Sequence, residues 1–336
     1  MMNLETTYLG LPLRNPVVAS AGPLSQTVAD IEALADGGVG AIVVYSLFEE
    51  QLRREAERLT EIEAQFENVF LEATSFFPDV PLDHDPSHEY LRLIEQAAKS
   101  IDVPLIASLN GVSVGSWIET AAKLQDAGAD AIELNIYFVP GDITTTGAQV
   151  EQRHLEIVAA VKEAVTVPVA VKLSPYFSSI GHMCVQLDQA GADGLVLFNR
   201  FLQPDIDVDR MTVESGVTLS RPGEAKLPRT WIAILRDQVE ASLAATTGVD
   251  TAEDVIKYIL AGADVVMTTS ALIRHGADHA ATLIDGLEGW LVTHGISLEK
   301  ARGLLAVPKE TAADAYERAG YVDALQKAKA TYGSLA

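Results

Sequence analysis

A short motif that recurs before apolar runs is the sequence feature that most constrains the fold. Ala-Gly-Ala-Asp occurs at 127–130, 190–193 and 261–264, each time after a helix-like segment and before a β-branched apolar run. A looser version, DGGVG at 36–40, precedes the run AIVVYS. Glycine at a helix end readily adopts the left-handed conformation, and strands that are apolar on both faces are typical of parallel sheets under helices. The repeat therefore predicts alternating helices and parallel strands.

Four further apolar runs complete a set of eight predicted strands. The strands cover 16–21, 41–46, 104–109, 131–137, 168–173, 194–199, 242–247 and 265–270, and the predicted helices cover 25–36, 88–100, 116–127, 149–164, 178–190, 228–238 and 251–261. Eight strand–helix units in 336 residues are typical of one (β/α)8 TIM barrel. An open doubly wound sheet is the alternative, but no G-x-G-x-x-G follows the first strand.

The chain contains no linker that would divide it, so residues 1–336 are predicted to form a single domain. The tail after Thr293 has helical spacing and predicts extra C-terminal helices at about 296–332, packed against the barrel. Two long connections, about 47–85 and 200–228, follow predicted strands. Long loops at that face commonly form pocket walls.

Composition limits the compartment and the partners. A net charge of −23 disfavours nucleic acid and anionic membranes as partners. There is no run long enough to span a membrane and no recognisable targeting signal, which predicts a cytoplasmic protein. Cys184 is the single cysteine, so internal disulfides and cysteine-ligated iron–sulfur clusters are excluded, and it is predicted to be a core residue.

Lys172 is the most informative single residue, because it lies in the apolar run PVAVKLSP at 168–175. A charge within an apolar strand is costly unless it is paired or used chemically. The strand ends at the C-terminal face of the predicted barrel, where catalytic groups lie in such enzymes. The alternative is an edge lysine whose ammonium reaches solvent.

The predicted strand ends carry amides, hydroxyls and one cation. They lack a carboxylate pair for hydrolysis, a Ser/His/Asp set and a cluster with metal-ligand spacing. This composition suits a large planar polar ligand with an anionic tail. The polar residues are Ser20, Gly22, Tyr45, Ser46, Ser108, Asn110, Glu133, Asn135, Lys172, Ser174, Asn199, Thr246 to Gly248 and Thr268 to Ser270.

Two segments predict a phosphate site. Thr246-Thr247-Gly248 follows the seventh strand and Thr269-Ser270 follows the eighth. The loops after these two strands, with a nearby helix N-terminus, form the recurring phosphate site of TIM barrels. The alternative is turn formation and helix N-capping by Thr251 and Ser270.

With these residues the chain resembles the dihydroorotate dehydrogenases, which are FMN-binding (β/α)8 barrels. The resemblance covers about residues 4–290, and its specific strings are Glu133-Leu134-Asn135 and Val171-Lys172-Leu173-Ser174-Pro175-Tyr176-Phe177. Supporting matches are Asn15-Pro16, Ala21-Gly22, Asn199, Leu219 to Pro222, Thr247 to Thr251 and Thr269 to Leu272. The resemblance implies a soluble FMN-dependent oxidoreductase related to pyrimidine biosynthesis, acting on a small substrate, and suggests a homodimer.

The resemblance also implies residue roles. Lys172 would stabilise negative charge on the reduced flavin, and Asn135, Asn199 and Tyr137 complete the expected catalytic set. Ala21 and Gly22 would back the flavin ring, and Ser46 and Asn135 would hydrogen-bond it. The phosphate would be held by Gly248 and its neighbours with Thr269 and Ser270. The expected cofactor-binding set is Ala21, Gly22, Ser46, Asn110, Asn135, Lys172, Asn199, Ser220, Thr247, Gly248, Thr269 and Ser270.

The chain departs from the family pattern on the substrate side. Phe138 stands where the family has a cysteine or serine base, and Tyr137 is the nearby titratable group, with an ordinary pKa of about 10. Tyr45 stands where the family has a lysine near the flavin. Residues 66–83 show no clear counterpart of the family's Asn-rich loop, which holds the carboxylate of the substrate.

The departures leave three functions to compare. The first is an FMN-dependent oxidoreductase that turns over dihydroorotate weakly or not at all. The alternative is a catalytically silent FMN-binding or electron-transfer partner protein. An FMN-dependent enzyme acting on RNA is disfavoured by the charge of −23. The true substrate and the electron acceptor are not specified by the sequence.

Overall fold

The eight predicted strands form a closed parallel barrel in the computed structural model, which describes residues 2–48, 86–111, 114–136, 141–200, 204–214, 216, 218–310 and 313–333. Each strand pairs with the next, and β8 pairs with β1 through Val266 and Val17 to close the ring. The TIM-barrel prediction is therefore confirmed. The strands are β1 Val17–Ala19, β2 Ala41–Val43, β3 Leu105–Asn110, β4 Ala131–Asn135, β5 Val169–Leu173, β6 Gly194–Leu197, β7 Ser242–Ala245 and β8 Val265–Thr268.

Helices surround the barrel, and those of the repeats lie within three residues of their predicted bounds. Thr27 begins the first of them, since its side chain accepts a hydrogen bond from the Asp30 backbone. Gly262 ends α7 with a φ of 121°, as the repeated motif predicts. The helices are α1 Val28–Asp36, α2 Pro86–Ser100, α3 Val114–Asp126, α4 Gly147–Ala164, α5 Ile180–Gln189, α6 Lys226–Leu235, α7 Ala252–Ala261, α8 Ser270–His275, α9 His279–His294, α10 Leu298–Ala301 and α11 Ala313–Tyr332.

The apolar core has two parts. The outward-facing strand residues pack against the helices, whereas inward-facing residues such as Val18, Ala170 and Met267 fill the barrel. A short hairpin, Thr6–Tyr8 paired with Leu11–Leu13, inserts Tyr8 and Leu9 into the barrel's N-terminal end. This hairpin was not predicted from the sequence. Because it fills the N-terminal end, the C-terminal end of the barrel is the one available for a ligand.

Strand alternation explains why polar groups lie inside the C-terminal end. Side chains two positions apart on a strand share a face. Ala131 and Ala170 face the barrel interior, so Glu133 and Lys172, two residues further along each strand, face it as well. The register places Glu133 opposite both Ser108 and Ala170, which makes Lys172 its diagonal neighbour.

The C-terminal tail confirms the predicted extra helices but corrects their packing. Leu298 and Ala301 of α10 are buried. In contrast, the described side chains of α11 are almost all exposed, including Tyr321 and Leu325. The prediction that the whole tail packs against the barrel is therefore wrong for α11. Within the described ranges, no helix combines the length and apolarity needed to cross a bilayer.

Candidate functional site

A cavity of about 420 Å³ opens at the C-terminal end of the barrel. Predicted residues from distant parts of the sequence meet there, since the ends of β5 and β8 and the loops after β1, β6, β7 and β8 all contribute. The predicted residues that line it are Ala21, Gly22, Lys172, Asn199, Ser220, Thr247, Thr269 and Ser270. Phe198, Arg200, Thr218, Thr246 and Met267 also contribute to the wall.

Lys172 is buried, and its ammonium pairs with a carboxylate. Its side chain is 8% exposed, and Nζ lies 3.5 Å from Glu133 Oε1. The alternative of an edge lysine reaching solvent is therefore wrong. A buried lysine that is paired and also lines a cavity can present positive charge to a bound ligand.

A chain of hydrogen bonds connects this ion pair to the cavity wall. Ser108 Oγ donates to Glu133 Oε1 at 3.2 Å and lies 2.8 Å from Ser46 Oγ. Asn135 Nδ2 donates to Ser46 Oγ at 3.2 Å, and Asn199 Nδ2 donates to Asn135 Oδ1 at 2.6 Å. Ser46 and Asn135 thus reach the cavity through Asn199.

The predicted phosphate site contains a compact hydroxyl and N–H cluster. Ser220 Oγ donates to Ser270 Oγ at 3.0 Å and accepts from the Gly248 backbone at 3.2 Å. Arg274 Nη2 donates to the Ser220 carbonyl at 2.6 Å, and Arg274 Nη1 pairs with Asp250 at 2.9 Å. Donors and a cation therefore lie together after β7 and β8.

Two glycines of the site lie very close to neighbouring atoms. Gly248 has a φ of 72°, and a Cβ there would lie 2.7 Å from Ala225 N and 2.8 Å from Arg221 O. A Cβ on Gly22 would lie 2.4 Å from Thr269 Oγ1. The backbone contacts and the positive φ explain why position 248 needs glycine, whereas a side chain at position 22 would require Thr269 to shift.

The capping alternative holds for one residue. Thr251 is the N-cap of α7, and its hydroxyl and backbone N–H both donate to Asp254 Oδ2, at 2.9 and 3.0 Å. Ser270 lies inside the first turn of α8, and its hydroxyl contacts Ser220. Ser270 thus belongs to the candidate site and does not cap the helix.

Several predicted residues lie elsewhere. Tyr137 and Phe138 fall outside the described residues. Asn110 is buried at the end of β3, next to Phe48, and does not line the cavity. Tyr45 packs edge-on against Tyr90, with ring centroids 5.0 Å apart, and burial raises its pKa above the usual value.

Three charged residues at the C-terminal end of the barrel had no role predicted from the sequence. Glu133 is the partner of Lys172, and the sequence signals for it were its place in the Glu133-Leu134-Asn135 string and its inward position on the neighbouring strand. Arg200 lines the first cavity and a second, adjoining cavity of about 510 Å³, and pairs with Glu224 at 3.2 Å. Arg274 lies one turn into α8, and nothing in the sequence around it, SALIR at 270–274, indicated a role in the site.

The fold and the site define a TIM barrel with a cluster of hydroxyl and backbone N–H groups beyond the ends of β7 and β8. The sequence matches the dihydroorotate dehydrogenase family over residues 3–291. The chain belongs to that family, whose members are FMN-dependent oxidoreductases.

Curated relatives extend over nearly the whole chain. The catalytic subunit of dihydroorotate dehydrogenase B (NAD(+)) from Methanothermobacter thermautotrophicus is 27% identical over 303 residues, or 88% of this chain and 95% of the relative. The protein of the same name from Methanosarcina mazei is 29% identical over 313 residues, covering 90% and 95% respectively. The one from Methanocaldococcus jannaschii is 26% identical over 315 residues, covering 90% and 97%.

Proposed function

We propose that this protein binds FMN in the 420 Å³ cavity and moves hydride equivalents between a small substrate and the flavin. The observation that carries the proposal is that Lys172, Gly22 and the Ser220–Gly248–Ser270 cluster line or border one cavity. A planar ring needs a flat wall and a phosphate needs donors. The tight glycines and the hydroxyl cluster fit both requirements.

Each group has a distinct task in this proposal. Ala21 and Gly22 support the ring, while Ser220, Thr269, Ser270 and the Gly248 region hold the phosphate. Bound FMN supplies a centre that accepts and returns a hydride. Lys172 presents positive charge to the cavity and favours the negative charge of the reduced cofactor.

Dihydroorotate itself is proposed to be a poor substrate. The sequence puts Phe138 where the family has its base, and a phenyl ring cannot accept a proton. Oxidation of dihydroorotate at ordinary enzyme rates would contradict this proposal. A substrate screen should therefore include other small molecules, with NAD⁺ among the electron acceptors because the relatives are named NAD(+) enzymes.

The visible absorption spectrum of the purified protein, with identification of the released chromophore, tests the proposal. Bound FMN supports it. A colourless protein that cannot be loaded with FMN overturns the roles of Lys172 and the phosphate cluster together. A homodimer and a cytoplasmic location remain predictions, and sedimentation analysis tests the first of them.

A further inference from the structure

Glu133 is the most deeply buried charged residue of the site. It is 1% exposed, and its Oε1 accepts from both Lys172 Nζ, at 3.5 Å, and Ser108 Oγ, at 3.2 Å. Its Oε2 has no hydrogen-bond partner among the residues that the structure describes. Burying a carboxylate this deeply costs free energy. We therefore looked for a role of Glu133 beyond packing.

The charge of Glu133 determines the direction of the hydrogen-bond chain. An ionised carboxylate only accepts, so Ser108 uses its single proton toward Glu133. Ser46 must then donate to Ser108, which leaves the Ser46 oxygen free to accept from Asn135 Nδ2. Asn135 Oδ1 in turn accepts from Asn199. Every bond in the chain therefore points toward Glu133.

We propose that Glu133 is a positioning residue that holds Lys172, offsets part of its charge and sets the donor–acceptor sense of the chain that ends at Asn199. The proposal rests on the FMN site proposed above. One Asn199 N–H is committed to Asn135, and within the described residues its carbonyl oxygen and its second N–H remain for a ligand. Asn199 lines both cavities, so Glu133 controls what the amide offers to each.

The test replaces the charge and keeps the shape. In Glu133→Gln the Lys172 charge is no longer offset, and the new amide can donate to Ser108 and disturb the chain. We expect the reduction potential of bound FMN to become more positive. The expected change in the affinity ratio of reduced to oxidised flavin is at least about tenfold, which is about 30 mV for a two-electron couple.

Lys172→Gln removes the positive charge of the same pair and should make the reduction potential of bound FMN more negative. In the double variant, the effects should be non-additive, because the two groups contact each other. The measurement is redox titration of the loaded protein against a reference dye. It does not require a known substrate or any turnover.

A second lysine–carboxylate pair provides the matched control. Lys162 Nζ lies 2.5 Å from Asp193 Oδ2 at the opposite end of the barrel, where Asp193 also accepts from Val169 N at 2.7 Å. Asp193→Asn also removes one negative charge beside a lysine. The FMN potential should be unchanged in Asp193→Asn, because the pair is remote from the cavity.

The outcomes separate this inference from the function on which it rests. If the unmodified protein binds no FMN, the proposed function fails and the inference falls with it. If it binds FMN and Glu133→Gln has the same potential, the inference alone is overturned. If Glu133→Gln does not fold, Glu133→Asp decides, because it keeps the charge but withdraws the carboxylate from Lys172 and Ser108, and an unchanged potential in that variant overturns the inference equally.

Discussion

The Tyr90 hydroxyl lies 3.3 Å from the backbone nitrogen of Ser108, from which it accepts a hydrogen bond. The same hydroxyl donates toward the Tyr45 carbonyl at 2.8 Å and lies 3.1 Å from the Ser108 carbonyl. Burial raises the pKa of Tyr90 well above its usual value, so the hydroxyl keeps its proton. Helix α2 thus holds in place the strand end that carries the Ser108 side chain.

Removing the Tyr90 hydroxyl should destabilise the protein, whereas removing that of Tyr8 should not. Tyr90→Phe leaves buried backbone groups unpaired, at an expected cost of about 1–3 kcal/mol. The Tyr8 hydroxyl is also buried but has no partner in the part of the chain that the structure describes. Tyr8→Phe should leave the free energy of unfolding unchanged or raise it. Urea denaturation of both variants checks the difference, and equal losses would contradict it.

Substitution of Gly248 should damage both stability and FMN retention. Alanine at a positive φ costs about 1–2 kcal/mol, and the Cβ at this position would also meet the Ala225 nitrogen at 2.7 Å. Gly295 provides the control, because it has a left-handed φ of 64° and open space around its Cβ position. Gly248→Ala should therefore lose more stability than Gly295→Ala, and it should also lose FMN. Thermal unfolding and flavin content measure the two effects, and identical behaviour of the two variants would contradict the proposed phosphate site at Gly248.

Restoring a base at position 138 should increase dihydroorotate oxidation. General base catalysis contributes about 100-fold or more, so Phe138→Ser or Phe138→Cys should raise the rate by about that factor. Phe138→Ala makes similar space without a proton acceptor and should not. Steady-state assays with an artificial electron acceptor give the comparison. An equal gain in Phe138→Ala would indicate that space, and not the base, is limiting.

Cys184 should be unreactive in the folded protein. Burial raises the pKa of its thiol to about 12, so the thiol stays protonated at pH 8 and becomes a thiolate only in strongly alkaline solution. Because Cys184 is the single cysteine, a thiol reagent should label one group per chain in denaturant and almost none in the native state. Rapid labelling of native protein would show that α5 opens locally.

The barrel was predictable because each repeat carries its own glycine and apolar strand, and the signals are local. The hairpin formed by Thr6–Tyr8 and Leu11–Leu13 was not predictable, because strands of three residues are too short to show an alternation of apolar and polar residues. The spacing at 313–332 predicted a helix correctly but could not show that its described side chains are almost all exposed. The pairing of Lys172 with Glu133 depends on the register between two strands that lie 39 residues apart in sequence, and single-sequence patterns do not contain that register.

Closure of the barrel has a consequence for synthesis on the ribosome. Strand β1 receives its β8 partner only when Val266 to Thr268 pair with Val17 to Ala19, and Thr6 contacts both Asp264 and Arg302. A nascent chain therefore carries an unpaired parallel edge until nearly the whole barrel has been translated. Such edges associate readily with other chains, so truncated products should be more prone to aggregation than the complete protein.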